Sequence, residues 1–255
     1  MGSVIITGAS SGIGMACAER FARDHCNLIL NARREDRLER LAERLKLYGV
    51  AIYYKKVDMR DSDGVTAFIR SLPQDLMPID ILINNAGLSR GLGPLDAGVL
   101  EDWNEMIDTN IKGVLYITRA VIPLMKAQGY GHIITIGSIA GHEPYPGGNV
   151  YCATKAAIKS LNKSLRMDLV GTNIRVTSVD PGMVETEFSE VRFRDAQRAQ
   201  KVYQGLKPLT AGDVADAVHF CATRPRHVNI ENLVITPTQQ VNAMINDRDY
   251  AGKKP

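Results

Sequence analysis

The sequence predicts a doubly wound α/β domain built on a seven-stranded parallel sheet. Its apolar runs are strand-length, helix-length segments separate them, and no linker, repeat or low-complexity tract divides the chain. Runs that are apolar on both faces are typical of parallel strands covered by helices on both sides and joined by right-handed crossovers. Residues 1–255 therefore form a single predicted domain. The predicted strands are 3–7, 27–31, 51–57, 79–84, 132–137, 174–180 and 232–236.

Composition and charge argue against several classes of function. Lys and Arg total 31 against 28 Asp and Glu, and this net charge of +3 is too small for a nucleic-acid partner. No apolar run reaches the roughly 18 residues of a membrane span, and no basic leader precedes the first strand, so we expect a soluble, cytoplasmic protein. The cysteines and histidines show no metal-ligand spacing, which predicts buried reduced thiols and no metal site. The cysteines are Cys17, Cys26, Cys152 and Cys221.

The segment TGASSGIG lies between the first predicted strand and the first helix. Glycines in such a turn let the backbone approach a pyrophosphate, and the helix N-terminus offers free N–H groups. A tight turn without a ligand is the structural alternative. The predicted cofactor contacts in this segment are Gly8, Ser10, Ser11, Gly12, Ile13 and Gly14.

The end of the second strand predicts the choice of dinucleotide. An NAD enzyme would place an acidic residue there, whereas this chain reads NARRE. Arg33 and Arg34 can fork onto a 2′-phosphate, with Ser10 as a neighbouring donor, so the predicted cofactor is NADP(H). The alternative makes both arginines solvated helix residues. Further along, Arg37, Arg40 and Arg44 are predicted to lie on the solvated face of an amphipathic helix.

The ends of the third and fourth strands complete the predicted cofactor site. Asp58, followed by Met59, is placed to receive the adenine amino group. The segment NNAG leaves room for the ribose and the nicotinamide through Asn85, Ala86 and Gly87. One long helix is predicted from Val99 to Gln128, with Pro123 bending its last turns.

Tyr151 and Lys155 stand four residues apart in a predicted helix, so their side chains share one face. The usual pKa of tyrosine is about 10, and a nearby cation lowers such a pKa. We therefore predict that Lys155 lowers the pKa of Tyr151. Taken singly, Lys155 can be a solvated lysine, Ser138 a turn residue and Asn110 a polar helix breaker. Cys152 is predicted to point off the opposite face of this helix.

Together these motifs resemble the short-chain dehydrogenase/reductase family, over nearly the whole chain. Within the family, four segments are most similar to NADP-dependent 3-hydroxy acid dehydrogenases, which include serine and L-allo-threonine dehydrogenases, malonic semialdehyde reductases and sulfoacetaldehyde reductases. These segments are GGNVYCATKA, IDTNIKG, EFSEVRF and VNIENLVITPTQQ. The motifs that carry the family resemblance are TGASSGIG from Thr7, NNAG from Asn84, Asn110, Ser138, YCATK from Tyr151 and the pair Pro181 and Gly182.

The resemblance implies a Rossmann fold with strand order 3-2-1-4-5-6-7 and a homotetramer built on the two long helices. It makes Tyr151 the proton donor, and Ser138 the residue that holds the substrate oxygen. Asn110 would hold a water that links Lys155 to solvent. Further cofactor contacts are expected from Tyr151, Lys155, Pro181, Gly182, Val184 and Thr186.

Residues 182–208 are polar and arginine-rich and are predicted to form a substrate lid, whereas 237–255 form a C-terminal tail that packs on a neighbour or frays. Arginines suit an anionic group on the substrate. The alternative is a solvated lid whose arginines pair with Glu187, Glu190 and Asp195. The candidate substrate residues are Arg90, His142, Tyr145, Arg192, Arg194 and Arg198.

The predicted function is NADPH-dependent reduction of a short acidic aldehyde, or oxidation of the matching hydroxy acid. Candidate pairs are sulfoacetaldehyde with isethionate and malonic semialdehyde with 3-hydroxypropionate, alongside serine and L-allo-threonine oxidation. The alternatives are a 3-oxoacyl-thioester reductase and a non-catalytic protein that senses NADP.

Overall fold

The computed structural model of the protein describes residues 2–248, which contain a seven-stranded parallel sheet. The strand order is β3-β2-β1-β4-β5-β6-β7, so the predicted fold and strand order are confirmed. The strands are β1 Ser3–Thr7, β2 Asn27–Ala32, β3 Ile52–Lys56, β4 Ile79–Asn84, β5 Gly131–Ile136, β6 Ile174–Pro181 and β7 Asn232–Ile235.

Helices cover both faces of the sheet. The first apolar layer includes side chains of α1, α2 and α9, and the second includes side chains of α3 and α5. No helix within residues 2–248 combines the length and apolar character needed to cross a membrane. The helices are α1 Gly12–Arg23, α2 Glu35–Leu45, α3 Ser62–Arg70, α4 Leu100–Ile107, α5 Gly113–Gln128, α6 Asn149–Asp168, α7 Phe188–Phe193, α8 Ala196–Val202 and α9 Ala211–Ala222.

Successive residues of the central strands point into the two different layers. In β1, Val4 and Ile6 pack with the first layer and Ile5 with the second, and all three are fully buried. This alternation follows from the two-residue period of a strand. It explains why these strands are apolar throughout. All four cysteines are buried and unpaired, as predicted.

The long helix predicted from Val99 to Gln128 is interrupted. Helix α4 ends at Ile107, a π-helical turn covers Asp108–Lys112, and α5 then continues to Gln128 with Pro123 inside it. A π-helical turn closes i→i+5 hydrogen bonds and is frequently found at functional sites. The predicted segment is thus helical from Leu100 to Gln128, and only the wide turn was missed, because apolar spacing near 3.6 residues does not reveal a single wide turn.

The first part of the C-terminal tail fastens both ends of the lid. The Gln240 side-chain oxygen accepts a hydrogen bond from Met183 N at 2.7 Å, and that of Gln239 accepts one from Lys207 N at 2.7 Å. Both glutamines are 5% exposed. Residues 237–248 therefore pack against the chain's own lid, while the rest of the predicted tail lies outside the described residues.

Candidate active site

A cavity of about 330 Å³ opens at the carboxyl edge of the sheet, lined by the loops that follow β1 to β6. It brings together the predicted cofactor residues from six separate parts of the sequence. Gly14 does not line the cavity, whereas all the other predicted cofactor residues do. The lining includes Gly8, Ser10, Ser11, Gly12, Ile13, Arg33, Arg34, Asp58, Met59, Asn85, Ala86, Gly87, Tyr151, Lys155, Pro181, Gly182, Val184 and Thr186.

The glycine-rich turn has the geometry that a pyrophosphate requires. Gly8 and Gly12 have φ angles of 67° and 54°, a region that favours glycine. A Cβ on Gly14 would lie 2.4 Å from Asn85 Nδ2 and 2.5 Å from Gly8 O, so only glycine fits between these loops. Ser11 precedes α1 without capping it through its side chain, which leaves the first helical amides available to an anion.

The NNAG loop is held against the end of β1. Thr7 Oγ1 accepts hydrogen bonds from Asn85 N at 3.0 Å and Ala86 N at 2.9 Å. In return, Asn85 Nδ2 donates to Thr7 O at 2.9 Å and Gly8 O at 3.2 Å. These bonds fix the two loops that flank the predicted pyrophosphate and ribose positions.

The end of the cavity next to β2 carries a cluster of arginines and hydroxyl groups. Arg34 donates to Ser11 Oγ at 2.7 Å, to Ser10 Oγ at 3.2 and 3.3 Å, and to Glu187 at 2.8 Å. Arg37 also donates to Glu187. This donor set fits a 2′-phosphate, because guanidinium and hydroxyl groups both bind phosphate oxygens.

Two members of this cluster were not identified from the sequence. Arg37 had been assigned to a solvated helix face, and Glu187 had been considered only as a partner of lid arginines. Arg33 lies at the same end of the cavity but pairs with Glu105 at 3.2 Å, and its side chain is 49% exposed. At the end of β3, Asp58 forms an ion pair with Arg60 at 2.6 Å, which lowers the pKa of that carboxyl.

At the opposite end of the cavity, Tyr151 and Lys155 lie on the buried face of α6, 8% and 9% exposed. Lys155 Nζ donates to Ile136 O at 2.8 Å and lies 5.9 Å from the centre of the Tyr151 ring. Burial lowers the pKa of Lys155 to about 8, and the negative charge of Asp180 acts in the opposite direction. The ammonium group is therefore close to neutralisation at mildly alkaline pH.

The pKa of Tyr151 shifts in the direction opposite to our prediction. Burial raises it, the neighbouring Tyr145 raises it further, and the Ser138 hydroxyl and Arg192 lower it. Removal of water from around the phenol outweighs the nearby cations, because burial disfavours the charged phenolate. The protonated phenol, which is the form that donates a proton, is the stable form here.

Asn110 fastens the loop that follows NNAG. It lies in the π-helical turn and is 2% exposed. Its side-chain oxygen accepts from Leu88 N at 2.9 Å, and its nitrogen donates to Leu88 O at 2.8 Å and Thr154 Oγ1 at 3.1 Å. A Cβ on Gly87 would lie 3.3 Å from the Asn110 oxygen and 3.8 Å from Lys155 Nζ, so Gly87 permits this close approach.

A buried carboxylate lies behind the catalytic end. Asp180 is 1% exposed and accepts hydrogen bonds from Ser178 Oγ at 2.5 Å, Asn232 Nδ2 at 2.6 Å and His142 Nε2. Lys159 Nζ donates to the other ring nitrogen of His142 at 2.9 Å. Since an ammonium group only donates, His142 Nδ1 accepts and Nε2 carries the proton. His142 belongs to this network. Neither His142 nor Tyr145 lines the cavity, where the sequence had placed both.

The structure separates the four candidate arginines. Arg192 donates to Tyr145 Oη at 2.8 Å and Gly91 O at 3.0 Å, and its guanidinium carbon lies 5.7 Å from the Tyr151 ring centre. Arg90 is bound to Glu105 at 2.7 Å and to Val191 O, as a brace beside the cavity. Arg194 pairs with Asp102 at 2.7 Å and Arg198 stacks on Phe193, both at the exposed surface. Arg192 alone of these four approaches Tyr151.

Cys152 packs in the same apolar cluster as Tyr151, so the prediction that it points away from the site was wrong. Burial raises the pKa of the Tyr145 hydroxyl, Arg192 lowers it, and the Cys152 thiol adds to the rise. Across residues 2–248, no group of three or more His, Cys, Asp or Glu side chains is arranged to hold a metal ion.

Comparison with known proteins agrees with this geometry. The profile of the short chain dehydrogenase family matches residues 3–197. The NADP-dependent 3-hydroxy acid dehydrogenase of Shigella flexneri is 45% identical, over 95% of this chain and 98% of that protein. The sulfoacetaldehyde reductase 2 of Chromohalobacter salexigens is also 45% identical, over 96% and 98%.

A solved structure gives the same result. The closed form of a serine dehydrogenase complexed with NADP+ superposes with a TM-score of 0.92 at 45% identity, over 96% of this chain and 98% of that one. The predicted family is confirmed, and this chain is a member of the short-chain dehydrogenase family.

Proposed function

We propose that this protein interconverts a short aldehyde that bears an acid group and the corresponding hydroxy acid, with NADP(H) as the cofactor. The coarser assignment follows from the relatives: the chain is an NADP-dependent oxidoreductase of the hydroxy-acid dehydrogenase type. The single observation that carries the finer proposal is the position of Arg192 beside Tyr151, because it places a cation within reach of a substrate bound at the phenol.

Tyr151 acts as the proton donor in this proposal. When bound, NADPH supplies the hydride that the carbonyl carbon receives. The Tyr151 hydroxyl gives its proton to the carbonyl oxygen, and the Ser138 hydroxyl holds the same oxygen in line. The raised pKa of Tyr151 keeps the donor protonated over the physiological range, which favours carbonyl reduction.

Lys155 supports the phenol electrostatically. Its ammonium group is fixed by Ile136 O and lies near the ring of Tyr151, so it stabilises negative charge that forms as the proton leaves. Asn110 fixes the loop through Leu88, which keeps Gly87 against Lys155. We retain the prediction that Asn110 serves a proton relay to Lys155.

Arg192 and Tyr145 provide the specificity for an acid group. The Tyr145 hydroxyl and Gly91 O orient the guanidinium, and among the described residues its Nη1 has no hydrogen-bond partner. A guanidinium presents paired donors to carboxylate and sulfonate oxygens, and holding the far end of a small substrate aligns its carbonyl. Malonic semialdehyde, 2-aminomalonate semialdehyde and sulfoacetaldehyde all have this form.

The test is to measure initial rates of NADPH oxidation with malonic semialdehyde, sulfoacetaldehyde and propanal. We expect Arg192→Met to lower kcat/KM for the preferred acid about 10- to 100-fold, since a hydrogen bond to a charged group is worth about 1.5–3 kcal/mol. Propanal turnover should change little. The control is Arg194→Met, an exposed lid arginine. Equal losses with propanal and the acids would contradict the proposal.

We also propose that the protein is a cytoplasmic homotetramer. The family resemblance implies an interface on the two long helices, and apolar side chains are exposed there: Leu115 on α5 is 40% exposed and Met167 on α6 is 69% exposed. Light scattering coupled to size-exclusion chromatography measures the mass directly. A monomer at micromolar concentration would contradict this proposal.

A further inference from the structure

Glu187 connects the lid to the arginine end of the cavity. It lies directly before α7, its carboxylate lines the cavity, and it accepts hydrogen bonds from Arg34 through one oxygen and Arg37 through the other. The partners are about 150 residues apart in the sequence, so the contact is made only by the folded chain. A carboxylate from the lid therefore occupies the same guanidinium groups that would bind a 2′-phosphate.

The charge state of Glu187 suits this role. Burial is the largest single influence on its pKa and raises it, but the hydrogen bonds and charges of Arg34 and Arg37 together lower the pKa below its usual range, so the side chain is anionic at neutral pH. A carboxylate and a phosphate can each accept two parallel hydrogen bonds from the planar guanidinium group of an arginine. Glu187 thus matches a phosphate in charge sign and in acceptor geometry.

The ion pairs are also weak enough to exchange. The side chains of Arg34, Arg37 and Glu187 are 39%, 36% and 38% exposed. Ion pairs of this exposure are screened by water and salt and contribute little. A cofactor phosphate, which carries more charge than a carboxylate, can therefore take the arginines from Glu187 without unfolding the lid.

We propose that Glu187 is a specificity-determining residue that stands in for the 2′-phosphate of the cofactor and competes with it for Arg34 and Arg37. This inference rests on the proposal that the guanidinium groups of Arg34 and Arg37 and the nearby serine hydroxyls bind the 2′-phosphate, a set of donors called the phosphate clamp below. A nucleotide that lacks the phosphate leaves the Glu187 pairs intact. A nucleotide that carries it has to displace Glu187 from the arginines, and its phosphate is then repelled by the nearby Glu187 carboxylate. Glu187 consequently weakens the binding of 2′-phosphorylated nucleotides only.

The experiment measures nucleotide binding by isothermal titration calorimetry, without turnover. The probes are adenosine 2′,5′-bisphosphate (2′,5′-ADP) and 5′-AMP, which differ only in the 2′-phosphate. The variant is Glu187→Gln, which keeps the side-chain shape and removes the charge. The control is Glu190→Gln, because Glu190 is an exposed carboxylate on the same short helix.

We expect Glu187→Gln to bind 2′,5′-ADP about three- to tenfold more tightly, the range expected from two exposed ion pairs that no longer have to be broken. Binding of 5′-AMP by Glu187→Gln, and binding of both nucleotides by Glu190→Gln, should match the unmodified protein. Weaker binding of 2′,5′-ADP would overturn the inference, because Glu187 would then orient the arginines for the phosphate. An equal change for both nucleotides would also overturn it.

A further variant separates this inference from the clamp on which it rests. Arg34→Gln should reduce the preference for 2′,5′-ADP over 5′-AMP. If Arg34→Gln leaves that preference unchanged, the clamp itself is wrong, and the inference is overturned with it. If Arg34→Gln reduces the preference and Glu187→Gln does not increase it, the clamp stands and only the role of Glu187 is refuted.

Discussion

The two ends of the cavity hold their charged groups in different environments. At the β2 end, the arginines and Glu187 keep more than a third of each side chain exposed. At the α6 end, Tyr151 and Lys155 are less than a tenth exposed, and Asp180 behind them is 1% exposed. Water screens the first set, so its partners can be exchanged, whereas burial shifts the pKa values of the second. Substitutions should therefore have small, ligand-specific effects at the first end and large effects on catalysis or stability at the second.

The largest expected effect is that of Tyr151→Phe, which removes only the phenolic hydroxyl. Loss of a general acid lowers rates by about 10²- to 10⁴-fold, and we expect kcat for aldehyde reduction to fall within that range. Stopped-flow measurement of a single turnover gives the rate. Calorimetric binding of 2′,5′-ADP should be unchanged and serves as the control. If the variant retains more than a tenth of the rate, Tyr151 is not the proton donor.

Gly137→Ala should destabilise the protein by about 1–3 kcal/mol, which is typical of overpacking. An added Cβ would lie 1.9 Å from Asp180 Oδ1, where the buried carboxylate has no room to move. Urea denaturation measures the free energy of unfolding. The matched control is Gly93→Ala, because nothing lies within 4 Å of a Cβ there. Equal stability of the two variants would show that the hydrogen-bond network of Asp180 rearranges at little cost in free energy.

Asp180→Asn should change how reduction depends on pH. Lys155, with a pKa of about 8, is charged below that pH, so kcat for reduction should decline as pH rises through about 8. The Asp180 charge raises the pKa of Lys155, so its removal should move this decline to lower pH. Profiles of kcat from pH 6 to 10 test the shift.

The control for this pH profile is Asp216→Asn, because the Asp216 carboxylate is largely exposed and pairs with Arg20 on the outer surface. An unchanged midpoint in Asp180→Asn would mean that Asp180 has no electrostatic effect on Lys155. Lower activity without a shift would indicate a structural role only.

At the exposed end, Arg34→Gln should raise KM for NADPH about tenfold and leave KM for NADH unchanged, since a charged hydrogen bond of about 1.5 kcal/mol is lost only with the phosphate. Arg33→Gln should have a smaller effect, because Arg33 is held by Glu105 and is half exposed. Steady-state kinetics with both cofactors distinguish the two arginines. A larger rise in KM for NADPH in Arg33→Gln than in Arg34→Gln would show that Arg33 is the main ligand of the phosphate.

The fold and much of the cofactor cavity could be predicted because local patterns carry them. Each of the following patterns can be recognised within a short segment of sequence: a glycine-rich turn after a strand, the absence of an acidic residue after β2, and two residues four apart on a helix. Seven apolar runs likewise predict the sheet. The residues that sequence reasoning misplaced are those whose surroundings depend on distant segments.

Three examples show the physical reason. Arg37 faces Glu187 only because the lid folds back over α2, whereas its spacing alone predicts a solvated helix face. His142 turns toward Asp180 because the buried carboxylate needs donors. The rise in the Tyr151 pKa reflects removal of water, a property of the folded interior that no local spacing reveals.

The π-helical turn at Asp108–Lys112 has a consequence for the length of the chain. A wide turn takes up one residue more than a regular turn, so the helical segments on its two sides keep the faces they would have in a continuous α-helix. A further residue inserted here would rotate one of those segments by about 100°. Either Met106 would leave its buried position or Asn110 would turn away from Leu88. The segment therefore cannot take an insertion, in contrast to an exposed turn such as that around Gly49.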